Sequence, residues 1–233
     1  MIVSELKEVS SVKLGEIDVS KVIIGDKQVY PENITYIEYI GTTGINGQNA
    51  PQILNTGIKG SSNIQFDFDI ETDYTNGRFI FGSGLRANNN AMAIFCKYEN
   101  GASDNGIRYD FRGANVFIPT KNVKLIDTNT RVNFNNLVAA RRLDYENLNT
   151  SANPGTFTSN LDICMFGKTQ EDGVTIFAKG SMKCYYLKLW DNGVLVRDMV
   201  PVRVGQVGYM YDRVSNTLFG NAGTGDFVLG PDL

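Results

Sequence analysis

Residues 183–202, KCYYLKLWDNGVLVRDMVPV, carry the strongest structural signal in the chain. Two runs of β-branched and aromatic residues flank Asn192-Gly193, the pair that a type I′ turn prefers because both central residues need positive φ. The stretch therefore predicts an antiparallel hairpin. With a period of two, its first arm should have one face with Tyr185, Leu187 and Leu189 and the other with Tyr186, Lys188 and Trp190.

The second arm of the hairpin shows the same period. Val194 and Val196 are expected on one face, and Leu195 and Arg197 on the opposite face. Pro201 has no N–H to donate to a ladder of hydrogen bonds, so we expect it to end the arm.

The clearest single strand is predicted at residues 63–71, where apolar and polar side chains alternate. The apolar side chains should face a core and the polar ones should face outward: Ile64, Phe66, Phe68 and Ile70 against Gln65, Asp67, Asp69 and Glu71. Asn-Gly occurs five times, at positions 46, 76, 100, 105 and 192. Such turn density with little helical periodicity predicts an all-β chain of two antiparallel sheets packed face to face.

The composition excludes several classes of function. A chain of 233 residues is long enough for one β-sandwich with a small appendage. Its 22 Lys and Arg residues against 25 Asp and Glu residues give a net charge of −3, which argues against a nucleic-acid-binding protein. The sequence has no histidine, which removes Ser-His and Cys-His nucleophile systems and the commonest zinc ligand. We expect no catalytic residues, no metal and no cofactor.

The cysteines and the N-terminus indicate where the chain folds. Cys96, Cys164 and Cys184 are odd in number and far apart, which predicts three buried free thiols and no disulfide or zinc site. Residues 1–8, MIVSELKE, lack the basic region and apolar core of a signal peptide. No run approaches the roughly 18 apolar residues of a membrane span. We therefore expect synthesis and folding in a cytoplasm, without membrane insertion.

Two segments near the C-terminus carry a family resemblance. They are residues 201–212, PVRVGQVGYMYD, and residues 216–231, NTLFGNAGTGDFVLGP. Together with the hairpin before them, they resemble the closing segment of a laminin-G-like, concanavalin A-type domain found in many bacteriophage and prophage virion proteins. The resemblance implies a concanavalin A-like jelly-roll β-sandwich of two antiparallel sheets.

The beginning of the large domain is similar to the same family. Residues 34–40, ITYIEYI, and residues 52–58, QILNTGI, fit its opening strands. The extra residues 44–51 should form a loop at the rim of the sandwich, and such loops often carry recognition.

Residues 1–33 differ from the rest, with short β-prone pieces and turns at Gly15 and at Gly25-Asp26. The pattern from Gly15 to Tyr30 resembles a small N-terminal module that recurs on phage tail and baseplate proteins. The resemblance implies that the chain divides into an attachment module, residues 1–33, and a sandwich, residues 34–233. An ordinary pair of extra strands on the sandwich is the alternative for the N-terminal part.

Asp67, Asp69 and Glu71 are the candidate residues for an enzyme. Laminarinase-type glycoside hydrolases share the concanavalin A-like fold and use carboxylates that alternate on one strand. A retaining mechanism needs two carboxyl groups about 5–5.5 Å apart, whereas positions i and i+4 on a flat strand lie roughly 13 Å apart. We favour the alternative, an outward polar face whose charges protect a sheet edge.

Four residues are candidates for ligand binding. Arg108, Asp110 and Arg112 form an outward row that could bind sugar hydroxyls or acidic glycans, and Trp190 could stack on a sugar ring. The alternatives are a solvated charge ladder for the row and packing against a neighbouring loop or subunit for Trp190. Rim-type loops also contain acidic residues, but no dense calcium-binding pattern is present.

The resemblance implies a non-enzymatic virion protein of a tail, baseplate or head fibre that adheres to host-surface glycans. Residues 1–33 would contact other virion proteins, and the assembly would be a homo-oligomer, with the trimer typical of phage fibres. Two alternatives remain open. One is capsid or tail decoration without sugar binding, and the other is a glycan depolymerase that uses Asp67, Asp69 and Glu71.

Overall fold

The computed structural model describes most of the chain. Its backbone covers residues 12–14, 17–19, 22–24, 27–41, 52–72, 79–84, 92–99, 104–111, 114–119, 130–136, 142–145, 148–151, 156–169, 175–177 and 180–233. Its side chains cover residues 31–39, 52–72, 79–84, 92–94, 156–169 and 181–233. Within these ranges every regular element is a β-strand and there is no helix, so the predicted all-β class is confirmed.

The strands are given in chain order. The N-terminal strands are β1 (Val12–Leu14), β2 (Ile17–Val19), β3 (Val22–Ile24), β4 (Lys27–Tyr30) and β5 (Glu32–Asn33). They are followed by β6 (Ile37–Gly41), β7 (Leu54–Ser61), β8 (Ile64–Thr72), β9 (Phe79–Ser83), β10 (Met92–Glu99), β11 (Asp104–Phe111) and β12 (Ala114–Pro119). The next are β13 (Thr130–Asn136), β14 (Arg142–Tyr145), β15 (Leu148–Ser151), β16 (Thr158–Met165), β17 (Gly167–Thr169) and β18 (Thr175–Phe177). The last are β19 (Gly180–Asp191), β20 (Val194–Val204), β21 (Val207–Asp212), β22 (Thr217–Phe219) and β23 (Val228–Leu229).

Most strands belong to two antiparallel sheets. The front sheet has nine strands in the order β13-β8-β19-β20-β21-β22, with β5 beside β20 and with β6 between β19 and β23. The back sheet has eight strands in the order β12-β11-β10-β9-β16-β7, with β17 beside β9 and β18 beside β17. A single parallel pair, Thr169 with Ser83, joins β17 to β9. Strands β1-β2, β3-β4 and β14-β15 form separate two-stranded sheets.

The two sheets face each other across one apolar core. The rings of Phe66 and Phe68 on β8 in the front sheet each lie 5.2 Å, centroid to centroid, from the ring of Phe81 on β9 in the back sheet. All three rings are fully buried, and burying one such ring contributes roughly 1.5–3 kcal/mol. Strand β8 alternates strictly between buried and half-buried residues, as predicted. The result is a sandwich-like arrangement.

The β19–β20 hairpin forms with the predicted turn. Asn192 and Gly193 have φ values of 50° and 78°, as a type I′ turn requires. In the first arm Leu187 and Leu189 are fully buried in the core. The second arm departs from the prediction, because the pairing register shifts between Leu189 and Trp190.

This register shift is a β-bulge that contains Val196 as an extra residue. It places Arg197 opposite Leu189, on the core side, while Leu195 lies opposite Trp190. The prediction that Leu195 and Arg197 share a face is therefore wrong, because one extra residue reverses the alternation that follows it.

Arg197 connects the two sheets. Its Nε donates a hydrogen bond of 2.8 Å to the carbonyl oxygen of Thr56 on β7, and its Nη1 lies 3.6 Å from the carboxylate of Asp212. Asp212 is fully buried and accepts hydrogen bonds from the N–H of Asp198 and from the N–H and hydroxyl of Ser215. The aspartate at the end of β21 therefore holds the β21–β22 turn and faces the inter-sheet arginine.

Strand β20 continues through Pro201 to Val204, so the prediction that this proline ends the strand is wrong. On one side of β20, residues up to Met199 pair with β19, and residues from Val202 onward pair with β5. The carbonyl of Pro201 accepts the N–H of Ile34 at 3.3 Å on that side. Pro201 therefore lies at the gap between β19 and β5. The N–H that proline lacks would have no strand partner there, so no hydrogen bond of the ladder is lost.

The C-terminal segment closes the sandwich over residues 34–37. The N–H of Thr35 donates to the carbonyl of Pro231 at 2.8 Å, and the N–H of Gly230 donates to the carbonyl of Tyr36 at 2.9 Å. Phe227 inserts into the core beside these bonds. Gly230 and Pro231 therefore lie against the residues directly before β6.

Gly230→Ala tests this closure. A β-carbon at Gly230 would lie 2.8 Å from the backbone nitrogen of Tyr36, so we expect the free energy of unfolding to fall by about 1–3 kcal/mol, the usual cost of overpacking. Urea denaturation measures it. Gly220→Ala is the control, because its added carbon would meet only the ring of Tyr209, at 3.3 Å. Equal urea midpoints of unfolding for the two variants would contradict the close packing of Gly230 against Tyr36.

Candidate functional site

The outer face of the front sheet is centred on β8 and β19. Strand β8 lies between β13 and β19 and pairs with both along its length. Asp67, Asp69 and Glu71 therefore lie in the interior of this face. The interpretation that their charges protect a sheet edge is wrong, because β8 is not an edge strand.

A second bulge shapes the β19 side of this face. The pairing of β19 with β8 shifts register between Cys184 and Tyr186. Cys184 and Leu187 are both fully buried, so the two tyrosines between them, Tyr185 and Tyr186, both reach the outer face. The prediction that Tyr185 shares a face with Leu187 and Leu189 is wrong, because a bulge re-aims the side chain of its extra residue.

Four described side chains on the outer face contact one another: Tyr36, Glu71, Lys183 and Tyr185. Glu71 accepts hydrogen bonds from Lys183 Nζ at 2.8 Å and from the Tyr185 hydroxyl at 2.9 Å. Lys183 Nζ also lies 4.9 Å from the centre of the Tyr36 ring, and the rings of Tyr36 and Tyr185 meet edge to face at 5.6 Å. The hydrogen bond to Glu71 raises the pKa of Lys183. This cluster fixes both tyrosine rings on the surface.

A second set of contacts lies towards the hairpin turn. The Tyr186 hydroxyl donates to Asp67 Oδ1 at 2.9 Å, and Lys188 Nζ lies 3.8 Å from Asp198 Oδ1. Trp190 follows on the same face and is half-buried. Aromatic rings and charged groups therefore alternate along β19.

The residues predicted to bind ligand are not brought together. Arg108 and Asp110 belong to β11 of the back sheet, where they pair with Phe95 and Ala93. Trp190 belongs to β19 of the front sheet. Arg112 and the predicted rim loop at residues 44–51 lie outside the described residues.

Two thiols are further candidates for chemistry among the described side chains. Cys164 and Cys184 are free and buried, as predicted, and burial raises the pKa of Cys164 to about 11 and also raises the pKa of Cys184. The side chain of Cys96 lies outside the described residues. In the described part of the chain, no group of three or more His, Cys, Asp or Glu residues could hold a metal ion.

Comparisons with known proteins add no assignment. No protein-family model matches the chain, and no curated protein matches it. Across the residues described by the structure, no helix is both long enough and apolar enough to cross a bilayer.

Tyr185→Phe tests the cluster around Glu71. The substitution removes the hydroxyl that donates to the carboxylate, so we expect the free energy of unfolding to fall by about 1 kcal/mol, measured by urea denaturation. Tyr209→Phe is the matched control in the same sheet, because the Tyr209 hydroxyl makes no hydrogen bond to a described residue. If the two substitutions cost the same, the hydrogen bond to Glu71 contributes nothing and the cluster is not rigid.

Proposed function

We propose that this chain is a non-enzymatic bacteriophage virion protein that adheres to host-surface glycans. In this proposal residues 34–233 form a laminin-G-like, concanavalin A-like jelly roll, displayed on a tail, baseplate or head fibre. The motifs in residues 201–231 support the family, and the two antiparallel sheets around one core support the fold. The outer face of the front sheet is the proposed glycan-binding surface.

The observation that carries the proposal is the row of aromatic side chains along β19. Tyr185, Tyr186 and Trp190 are half-buried on a solvent-facing surface, and their rings can stack on the apolar faces of sugar rings. Asp67 and Lys188 lie beside them and can exchange hydrogen bonds with sugar hydroxyls. Aromatic platforms with a few fixed polar groups are a common composition for ligand sites.

The geometry of the carboxylates favours binding over hydrolysis. Asp67 and Glu71 are four positions apart on β8, roughly 13 Å at the usual rise, whereas a retaining glycosidase needs about 5–5.5 Å. Glu71 Oε1 accepts a hydrogen bond from Lys183 and Glu71 Oε2 accepts one from Tyr185, so both carboxylate oxygens are engaged by the protein. A general acid must instead donate a proton to the leaving group, so this arrangement does not suit Glu71 to that role.

The N-terminal part supplies attachment in this proposal. Residues 1–33 would contact other virion proteins, and β5 at their end pairs with β20 of the front sheet. A homo-oligomer, with a trimer as the expected form, would present several copies of a weak site and so gain avidity. The protein would act in the virion after synthesis in the bacterial host cytoplasm.

A glycan-array screen of the full chain tests the proposal, with its mass measured by light scattering in the same buffer. Binding to a defined sugar class by an oligomer is the expected result. A well-folded oligomer that binds no glycan would overturn the adhesion proposal and favour structural decoration of the capsid or tail.

Trp190→Ala locates the binding surface. We expect the affinity for the glycan selected by the array to fall at least about tenfold, a loss of roughly 1.4 kcal/mol, in isothermal titration calorimetry. Val194→Ala is the control, because Val194 lies in the same hairpin and its residue surface is 64% exposed. Wild-type affinity in Trp190→Ala would place the glycan elsewhere on the protein.

A further inference from the structure

The charges on the outer face of the front sheet alternate from strand to strand. Lys188 on β19 lies opposite Asp67 on β8 and opposite Asp198 on β20. Its Nζ is 3.8 Å from Asp198 Oδ1. This lysine therefore has a carboxylate neighbour on each side.

Lys183 repeats the arrangement further along β19. It lies opposite Glu71 on β8 and opposite Glu38 on β6, with its Nζ 2.8 Å from Glu71 Oε1. Beyond β8, the backbone register of β13 places Arg131 opposite Glu71 as well. Each of these basic residues thus lies opposite at least one acidic residue on a neighbouring strand.

Among the described side chains of this face, carboxylates outnumber cations. The carboxylates are Glu38, Asp67, Asp69, Glu71 and Asp198, and the cations are Lys183, Lys188 and Arg213, the last of which lies 3.9 Å from Asp198. An anionic ligand would have to compete with these carboxylates for each cation and would also meet their negative charge. Like-charge contacts of this kind are a strong source of discrimination against the wrong partner.

We propose that the ligand of this face is a glycan without acidic groups, built from neutral or amino sugars. This inference rests on the proposed function and narrows its ligand class. The tyrosine and tryptophan rings stack on the sugar, and the carboxylates accept hydrogen bonds from its hydroxyl or ammonium groups. The lysines, already paired, do not bind sulfate, phosphate or uronate.

The test compares matched glycans that share one core and differ only in charge. The full chain is titrated with the neutral core and with its sulfated form at low ionic strength. We expect the neutral core to bind at least about tenfold more tightly, with the difference shrinking as salt is added.

A double substitution, Asp67→Asn with Asp198→Asn, provides a gain-of-function arm. It removes both negative charges beside Lys188 and keeps the side-chain sizes, so the affinity for the sulfated form, divided by the affinity for the neutral core, should rise about tenfold. Asp162→Asn with Asp226→Asn makes the same change in net charge away from this face and is the control. A purely structural role for the carboxylates would not produce this gain.

The outcomes separate the two proposals. Equal or tighter binding of the sulfated form by the wild-type chain would overturn this inference and leave glycan adhesion standing. A gain in the control equal to that in the double variant would also overturn it, because net charge alone would then explain the result. Failure of the folded chain to bind any glycan would overturn both proposals.

Discussion

The packing of Phe66 and Phe68 against Phe81 fixes the orientation of β8, and the outer face of the front sheet depends on that orientation. Side chains alternate along a strand, so burying these two rings forces Asp67, Asp69 and Glu71 outward. A slip of one residue would expose the phenylalanines and bury three carboxylates, at a cost of many kcal/mol. Core and surface are therefore specified by one strand.

The second determinant of the outer face is the change of partner along β19. Its first part pairs with β6 and its last part with β20, and the bulge at Tyr185 lies between these two pairings. An extra residue at this point turns a second tyrosine onto the surface without disturbing Cys184 and Leu187 in the core. The aromatic row thus arises from sheet topology as much as from composition.

The motif residues that suggested a family close the sandwich and lie away from the proposed binding surface. A β-carbon at Gly208 would lie 2.6 Å from Leu229 Cδ2, Asp212 holds a turn, and Gly230 has no room for a side chain against Tyr36. A resemblance carried by such residues supports a fold more strongly than a ligand. These residues therefore do not identify a ligand.

The sequence alone was sufficient to predict features that depend on neighbouring residues. The alternation of β8 and the type I′ turn at Asn192-Gly193 follow from neighbouring residues, and both are observed. The bulges at Tyr185 and Val196 could not be predicted, because an extra residue leaves no mark in composition. The contacts of Glu71 with Lys183 and Tyr185 span 112 and 114 positions in the chain, so only the folded sheet brings them together.

The central claim, that the outer face of the front sheet binds the ligand, has a direct reporter in the protein itself. Trp190 is the single tryptophan of the chain, so the intrinsic emission of the unmodified protein reports on this face. In a titration with a neutral oligosaccharide selected by the array, the account predicts a saturable change in Trp190 emission with the dissociation constant found by calorimetry. Calorimetric binding with unchanged Trp190 emission would contradict the account.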